Sequence, residues 1–196
     1  FVPDRAADGS VQGFYSLSFD ITEAKNFARE LDRLARFDAL TGLANRRHFE
    51  GELDAAVARA MRTGAALMVL SLDLDKFKQI NDTLGHAAGD EVLVEFGRRV
   101  RASVYDVDLV ARLGGDEFVV LVQYTATTEA GERIARSILA AMEPPMDLSV
   151  GPVQAATSIG VGLMQPVVSA SALMALADRA LYEAKARGRN TYSILR

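Results

Sequence analysis

The chain has 196 residues, of which 49% are hydrophobic, so it can bury the core of a folded domain and is not disordered. Its net charge of −4 excludes a protein that coats nucleic acid, because such proteins need a basic surface. It contains no cysteine, which excludes disulfides and thiolate metal sites, and no apolar run approaches the length of a membrane span.

The first part of the chain predicts a strand followed by a helix. Residues 11–20 alternate apolar and polar side chains, which is typical of a strand. Asp20 or Thr22 can cap the helix that follows, with Glu23 in its first turn. The N-terminus lacks the basic and apolar blocks of a signal peptide, and we expect the chain to be cut from a longer protein.

This first helix carries a narrow apolar stripe of Phe27, Leu31 and Leu34. The spacing is typical of a short coiled coil or of a linker helix that packs on a partner. A surface helix that lies on its own domain explains the stripe equally well.

The rest of the chain alternates between helices and strands. Thr41 and Gly42 break the helical periodicity, and Asn45 can cap a new helix that extends to about Met61. The elements predicted after it are a buried strand over 65–75, a short helix with a glycine-bearing loop over 76–90, an amphipathic helix over 90–104, a strand on each side of the sequence GGDE, a helix over 129–142, strands over 145–150 and 153–163, a helix over 171–188 that Gly188 closes, and a strand over 190–195.

This order predicts an α/β (α+β) fold. From Leu67 the elements run β-α-β-β-α-β-β-α-β, which describes a ferredoxin-like palm extended by a hairpin and a C-terminal helix. We expect a central, mainly antiparallel sheet flanked by helices. We also expect its first strand to be central and to lie beside the strand that follows the first long helix.

Four acids stand at the ends of predicted strands. Asp73 and Asp75 end a buried strand, and the i, i+2 spacing directs them to one face. The hairpin that carries Asp116 and Glu117 can lie close to Asp73. Carboxylates this close repel each other unless a cation compensates, and oxygen ligands without His or Cys suit Mg²⁺ or Mn²⁺. Such ions bound to a nucleotide can support in-line phosphoryl transfer.

Simpler interpretations of these acids remain open. A Gly-Asp turn is a common way to build a hairpin, so GGDE can be a turn and nothing more. Asp73 and Asp75 can also cap the short helix that begins at Lys76.

Further polar groups match the needs of a nucleotide. Asn81 and Asp90 offer an amide and a carboxylate to a purine edge, and Lys78, Lys185 and Arg189 offer cations to phosphates. Lys185 and Arg189 are four residues apart at a predicted helix end, so they can lie on one face. A solvated helix end that complements the helix dipole explains these two cations as well.

Together these motifs are recognisable. LGGDEF, with DLDKFKQINDTLGHAAGDEVL upstream and DRALYEAKARGRN downstream, resembles the GGDEF family of diguanylate cyclases, and FDALTGLANRRHF matches the usual entry to that domain. The resemblance covers about residues 38–194. It implies condensation of two GTP into cyclic di-GMP and two pyrophosphates, a reaction of bacterial second-messenger signalling. Each subunit of an antiparallel homodimer holds one GTP, and the 3′-hydroxyl of one attacks the α-phosphate of the other.

The resemblance also implies roles for single residues. Asp73, the carbonyl of Leu74, and Glu117 resemble metal ligands. Asp116 resembles the group that coordinates metal and assists deprotonation of the 3′-hydroxyl. The residues that resemble substrate contacts are Asn81 and Asp90 for guanine, His86 as a further contact, Lys185 and Arg189 for the terminal phosphates, and the backbone amides near Phe77 and Lys78.

The chemistry of guanine agrees with this assignment. Guanine presents N1–H and N2–H₂ donors, which a carboxylate accepts in pairs, whereas adenine lacks that pair. Asp90 is therefore expected to select against ATP, because a buried acid left unpaired is unfavourable. This argues against a cyclase that makes a mixed purine dinucleotide.

One position departs from the family. Its product-inhibition site is an Arg-x-x-Asp in which five residues separate the Asp from the first signature glycine. Here Asp108 fits, but Tyr105 replaces the Arg. A phenol cannot both stack on the product and pair with it as a guanidinium does, so we expect weak or absent feedback.

The strand over 11–20, followed by DITEAK, resembles the end of a PAS sensor domain that continues into its signalling helix. We therefore expect a sensor remnant over 1–22, a linker helix over 23–37 and a GGDEF domain over 38–196. The domain is expected in the cytoplasm, without nucleic acid as a partner, in a full-length protein that can be tethered to a membrane. The alternative function is a non-catalytic GGDEF module that binds GTP or cyclic di-GMP.

Overall fold

The structure is a computed structural model that describes residues 2–15, 19–164 and 169–196. The chain divides into two compact units, Phe1–Arg33 and Leu34–Arg196. Its elements in chain order are β1 (Val2–Arg5), β2 (Val11–Tyr15), α1 (Thr22–Arg36), β3 (Ala44–Asn45), α2 (Arg46–Thr63), β4 (Leu67–Leu74), α3 (Phe77–Leu84), α4 (His86–Ala102), β5 (Leu109–Gly114), β6 (Glu117–Gln123), α5 (Thr128–Met142), β7 (Met146–Leu148), β8 (Gly151–Val153), β9 (Thr157–Leu163), α6 (Ala170–Ala186) and β10 (Tyr192–Leu195). Among the described residues, no helix combines the length and apolarity needed to cross a membrane.

The first unit begins with a hairpin in which β1 and β2 pair antiparallel. The strand predicted over 11–20 is observed over Val11–Tyr15, and residues 16–18 lie outside the described part of the chain. The carboxylate of Asp20 accepts a hydrogen bond from the backbone N–H of Thr22, 2.8 Å away, where α1 begins. The predicted start of this helix is therefore confirmed. The side chains of its apolar stripe are exposed, by 71% at Phe27 and 67% at Leu31.

The second unit is built on a central sheet whose strand order, in the described residues, is β10-β9-β4-β6-β5-β3. β4 is central and pairs antiparallel with β6 and β9, whereas β10 pairs parallel with β9 and β3 parallel with β5. The predicted ferredoxin-like sheet, mainly antiparallel and flanked by helices, is confirmed.

The predicted neighbour of the central strand is wrong. β4 lies beside β6, the second strand of the hairpin, and β5, which follows α4, lies one position further out. β4 and β5 run in the same direction, because both are antiparallel to β6. The connection through α3 and α4 leaves one position open between them, and the returning β6 fills it with two antiparallel ladders.

The two faces of β4 belong to two hydrophobic clusters. Met68, Leu70 and Leu72 are packed on the side of α4 and α5, and Leu67 and Val69 on the side of α2 and α6. The alternation of period two along this buried strand therefore assigns each helix pair to one face.

Two predicted boundaries differ from the structure. α4 begins at His86 and not at Asp90, because Gly85 at φ +86° ends α3 and starts the next helix without a loop. The predicted strand over 153–163 is divided, because β8 pairs with β7 in a separate hairpin and only β9 enters the central sheet. The predicted closing role of Gly188 is confirmed, because α6 ends at Ala186, Arg187 is its C-cap, and Gly188 follows at φ +111°.

The segment that enters this unit is fixed by side-chain hydrogen bonds. Asn45 caps α2, as predicted, by accepting from the N–H of His48 at 2.9 Å. The carboxylate of Asp38 accepts from the N–H of Thr41 at 2.9 Å and from Nη1 of Arg112 at 3.1 Å. Arg112 also donates from Nε to the carbonyl of Gly115 at 2.9 Å, so one guanidinium connects the entry segment to the tip of the β5–β6 hairpin.

α6 packs so closely on β9 that the backbones of the helix and the strand are in contact. A Cβ added at Gly160 would be 2.1 Å from the carbonyl oxygen of Ala177 and 2.1 Å from the backbone nitrogen of Leu181. A Cβ at Gly162 would be 2.9 Å from the backbone nitrogen of Ala177. Only glycine permits this approach, and it sets the position of everything that α6 carries.

A partly buried arginine joins α4 to the end of α5. Arg99 donates to the carbonyls of Ala141, Pro144 and Pro145 at 3.0, 2.6 and 2.8 Å. Hydrogen bonds from Arg98, together with those from Arg99, lower the pKa of Glu95 to about 2. The acid in turn holds the guanidinium of Arg99 toward the three carbonyls.

Replacing Gly160 by alanine is expected to destabilise the second unit. The new methyl group would overlap backbone atoms of α6, which cannot rotate away, so we expect a loss of about 2 kcal/mol or more. The thermal midpoint should fall by about 5 °C. Gly51→Ala is the matched control, because Gly51 lies in α2 with no atom within 4 Å of its added Cβ. That control should raise the midpoint or leave it unchanged. Equal midpoints for Gly160→Ala and the wild type would contradict the close contact.

The free energy of unfolding is expected to depend on pH through Glu95. Its pKa is lower in the folded chain than in the unfolded chain, so its contribution is present above an unfolded pKa of about 4.3 and is lost as the pH falls toward 2. Urea unfolding at pH 7, 5, 4 and 3 should show the wild type more stable than Glu95→Gln at neutral pH. The difference should shrink below pH 4.5 or so; a constant difference would show that the carboxylate charge does not stabilise the fold.

Candidate active site

Two of the predicted acids are paired on neighbouring strands of the central sheet. Asp73, near the end of β4, lies directly opposite Glu117 on β6, and Asp116 stands in the turn before Glu117. Gly114 and Gly115 form that turn at φ +145° and +53°, conformations that favour glycine. The prediction that the hairpin lies close to Asp73 is confirmed. GGDE is a hairpin turn as well, so the two interpretations are compatible.

The charge on Asp73 is only partly balanced. Nζ of Lys185 lies 2.8 Å from Oδ2 of Asp73, across from the end of β4. Burial raises the pKa of Asp73, and the negative charges of Asp116 and Asp75 raise it further against the opposing effect of Lys185. The end of β4 is therefore a place where additional positive charge would stabilise the ionised acids.

Asp75 has a different role from Asp73. β4 ends at Leu74, so the strand alternation does not extend to Asp75. The buried carboxylate of Asp75 accepts from Oγ of Ser158 at 2.8 Å and from the N–H of Asn190 at 2.9 Å. No side chain caps α3, so the prediction that these acids act as helix caps is wrong. Asp75 instead joins the end of β4 to the start of β9 and to the turn after α6.

That turn carries Arg189. Gly188, Arg189 and Asn190 all have positive φ, at +111°, +65° and +46°. The prediction that Lys185 and Arg189 share one helix face is wrong, because α6 ends at Ala186 and Arg189 lies beyond it. Nε of Arg189 lies 4.0 Å from Oδ1 of Asp75. Each of the two cations is thus paired with one of the two aspartates at the end of β4.

The predicted substrate contacts lie around α3 and α4. Lys76, at φ +61°, precedes α3, and its side chain makes no capping hydrogen bond to this helix. The backbone N–H groups of Phe77 and Lys78 lie in its first turn, where the helix dipole favours anions. The side chain of Phe77 is buried and that of Lys78 is exposed.

The candidate base contacts are on helices, not on the predicted loop. Asn81 lies half-buried on α3, and His86 and Asp90 are exposed in the first turns of α4. Gly85 alone joins the two helices, so α3 and α4 form a short helical hairpin with Asn81 on one arm and Asp90 on the other.

Sequence reasoning missed two polar residues near Asp73. Nη2 of Arg46, the first residue of α2, lies 3.6 Å from Oε2 of Glu117. Asp178 on α6 accepts from Oγ of Ser71 at 2.8 Å. With Asp73 and Lys185, these side chains line a cavity of about 290 Å³ beside β4. Asp178 and Lys185 are seven residues apart in α6, which puts them on one helix face. This spacing could have predicted that Asp178 lies near the site.

The predicted metal site is not assembled as a cluster. Within 2–15, 19–164 and 169–196, no group of three His, Cys, Asp or Glu side chains is close enough to hold a metal ion. Asp73 is bound to Lys185 and Glu117 to Arg46. The ligand set of Asp73, the carbonyl of Leu74, Asp116 and Glu117 stays a prediction.

Tyr105 and Asp108 form a closed turn between α4 and β5. The carboxylate of Asp108, which is buried, accepts from the N–H of Tyr105 at 3.1 Å. The guanidinium of Arg133 on α5 lies over the Tyr105 ring, 5.6 Å from its centroid, and donates to the phenol oxygen at 3.1 Å. The carboxylate of Asp108 therefore stabilises the turn in which it lies, and Arg133 contacts the ring of Tyr105.

Comparisons with known proteins show what the chain is similar to. The family model described as diguanylate cyclase, GGDEF domain, matches residues 35–191. Diguanylate cyclase TpbB of Pseudomonas aeruginosa is 45% identical over 159 residues, which cover 80% of this chain and 37% of TpbB. Diguanylate cyclase DgcS of Shewanella oneidensis is 40% identical over 166 residues, 85% of this chain and 55% of DgcS. The chain thus spans between about a third and about half of the length of these relatives.

Solved structures have the same fold. The crystal structure of the GGDEF domain of TpbB matches with a TM-score of 0.76 and 44% identity, covering 80% of this chain and 98% of that one. The coiled coil and GGDEF domain of DgcB from Caulobacter crescentus, in complex with c-di-GMP, matches with a TM-score of 0.81 and 28% identity, covering 90% of this chain and 94% of that one. The sequence motifs, the sheet that brings Asp73 to the GGDE hairpin, and these relatives lead to one conclusion: the chain belongs to the GGDEF domain family of diguanylate cyclases.

Proposed function

We propose that the chain is a diguanylate cyclase, a nucleotidyltransferase that condenses two GTP into cyclic di-GMP and two pyrophosphates. The observation that carries the proposal is the meeting of Asp73, Glu117 and Lys185 at the end of β4, beside the hairpin that holds Asp116. Acids that can bind a cation and a lysine that can bind phosphate are both needed for phosphoryl transfer.

The proposed cofactor is Mg²⁺ or Mn²⁺, held by Asp73, the carbonyl of Leu74, Asp116 and Glu117. All the donors are hard oxygens, which these ions prefer. The raised pKa of Asp73 supports the fit, because burial and, to a lesser degree, the charges of Asp116 and Asp75 disfavour its ionised form, which a bound cation would stabilise. When bound, the metal supplies positive charge to the phosphate oxygens.

The chain itself supplies the proton acceptor and the phosphate contacts. Asp116 accepts the proton of the 3′-hydroxyl, which then attacks the α-phosphate of the second GTP. Lys185 and Arg189 bind the terminal phosphates, and the first N–H groups of α3, at Phe77 and Lys78, also donate to them. The uncapped N-terminus of α3 supports this role, since its donors are not taken by a side chain.

Guanine is proposed to bind between α3 and α4. Asn81 and Asp90 contact its polar edge, with His86 as a further contact. The helical hairpin supports this, because it carries the amide on one helix and the carboxylate on the other. Asp90 selects guanine over adenine through the paired N1–H and N2–H₂ donors.

Catalysis is proposed to need a homodimer, because each subunit holds one GTP. The exposed stripe of Phe27, Leu31 and Leu34 is a surface through which two copies can associate. An upstream sensor is proposed to control this association, with a PAS-like remnant over 1–22, a linker helix over 23–37 and the GGDEF domain over 38–196. The proposed location is the cytoplasm, where GTP is available.

The alternative of a non-catalytic module that binds GTP or cyclic di-GMP is not favoured. Asp116 and Glu117, the acids of the signature, are both present. The relatives at 40–45% identity are named diguanylate cyclases.

The proposed activity predicts a turnover rate that rises faster than linearly with protein concentration, because two subunits share one reaction. Pyrophosphate release from GTP with Mg²⁺ would be measured over a hundredfold range of concentration or so, bracketing the dimer dissociation constant. Asp116→Asn, which keeps the shape and removes the base, should reduce turnover by about 100-fold or more. Full turnover by Asp116→Asn would refute its catalytic role, and no product from a demonstrated dimer would favour the binding module.

The turn at Tyr105 predicts weak or absent product inhibition. Initial rates should be the same with and without low micromolar cyclic di-GMP, because the position that needs a guanidinium carries a phenol held by Arg133. Tyr105→Arg should gain inhibition. Strong inhibition of the wild type that Asp108→Asn removes would show that the site works without its arginine.

A further inference from the structure

One contact between α3 and α4 depends on a missing side chain. A Cβ added at Gly89 would be 1.8 Å from Oδ1 of Asn81 and 2.9 Å from its Cγ. It would also be 3.4 Å from Cζ of Phe77. The carboxamide of Asn81 therefore occupies the space that any other residue at position 89 would need.

The backbone at Gly89 does not itself require glycine. Gly89 lies inside α4, is buried, and has no positive φ. Glycine in a helix interior costs about 1 kcal/mol relative to alanine. The compensating feature at this position is the room it leaves for Asn81.

We infer that Gly89 is a positioning residue for base recognition, since its missing side chain lets the Asn81 carboxamide pack against the backbone of α4 at this position. The inference rests on the proposed function, in which Asn81 and Asp90 contact guanine. Two adjacent positions of α4 then contribute to recognition of the same guanine. Asp90 supplies a carboxylate, and Gly89 leaves the space that the Asn81 carboxamide occupies.

Folding and recognition should be separable at this position. At Gly89, a new methyl group would meet Oδ1 of Asn81, which is the end of a half-buried side chain that can rotate. At Gly160, it would meet backbone atoms of α6. Asn81 can rotate away, and alanine favours the helix. Gly89→Ala should thus fold with a thermal midpoint close to that of the wild type while its Asn81 amide is displaced.

A matched control exists on the same helix. Gly97 is also buried in α4, and its added Cβ would be 2.9 Å from Cδ1 of Leu43 and 3.4 Å from Cε1 of Phe118. Gly97→Ala makes the same chemical change against apolar side chains, away from Asn81.

The experiment measures binding of non-hydrolysable GTP and ATP analogues by calorimetry to the wild type, Gly89→Ala and Gly97→Ala. Gly89→Ala should bind the GTP analogue about tenfold more weakly, the effect of one misplaced hydrogen-bonding group, with little change for the ATP analogue. Gly97→Ala should keep the preference of the wild type. In an Asn81→Ala background, Gly89→Ala should add no further loss, because it acts through Asn81.

A second readout needs no nucleotide. The side-chain amide signal of Asn81 in an NMR spectrum should shift in Gly89→Ala and stay in place in Gly97→Ala. An unmoved signal, or an unchanged preference for the GTP analogue, would overturn the inference while leaving cyclase activity intact. Conversely, a wild type that binds the GTP analogue without turning over GTP would refute the proposed cyclase and leave the test of Gly89 valid.

Discussion

The site depends on the pairing of two aspartates at the end of β4 with two cations from the end of α6. Asp73 is bound to Lys185, and Asp75 holds the turn that carries Arg189. Carboxylates removed from water are unfavourable without partners, so neither aspartate would be stable at this strand end alone. The partners come from more than a hundred residues further along the chain. The pairing thus joins the central strand to the last helix, and it can form only if α6 lies at one distance from the sheet.

That distance is set by residues that have no role in the chemistry. Gly160 lets the backbone of α6 approach β9, and Lys185 extends from the same helix toward Asp73. At the other end of the site, Gly89 leaves room for Asn81 between α3 and α4. The phosphate end and the base end of the proposed site are therefore each positioned by a glycine that permits a close approach. Charged and polar side chains supply the interactions, and the packing of small residues decides where those side chains are.

Much of the architecture could be predicted from the sequence because its causes are local. The apolar run over 65–75, which ends in two acids, predicted a buried strand, and the glycines before Asp116 predicted a hairpin turn. The errors concern features with distant causes. Gly188 predicted where this helix ends, but the four-residue spacing wrongly placed Lys185 and Arg189 on one helix face. Nothing near Arg189 reveals its positive φ, in a turn that Asp75, more than a hundred residues earlier, stabilises through Asn190. The order of strands was wrong for a similar reason, since pairing depends on how the hairpin fits the sheet and not on any one strand.

The same pairing explains how a site rich in opposite charges can exist without a ligand. Asp73 and Lys185 neutralise each other, and Arg46 lies near Glu117 in the same way. Under the proposed function the substrate brings both signs together, as phosphates and an accompanying cation. Lys185 can then exchange a carboxylate for a phosphate while Asp73 exchanges an ammonium for the cation, so that no buried charge is left unpaired. Under the proposed function, the acids and cations that bind the nucleotide are the same groups that pair with each other before it arrives, and the free energy of binding reflects a change of partners more than the creation of new ion pairs.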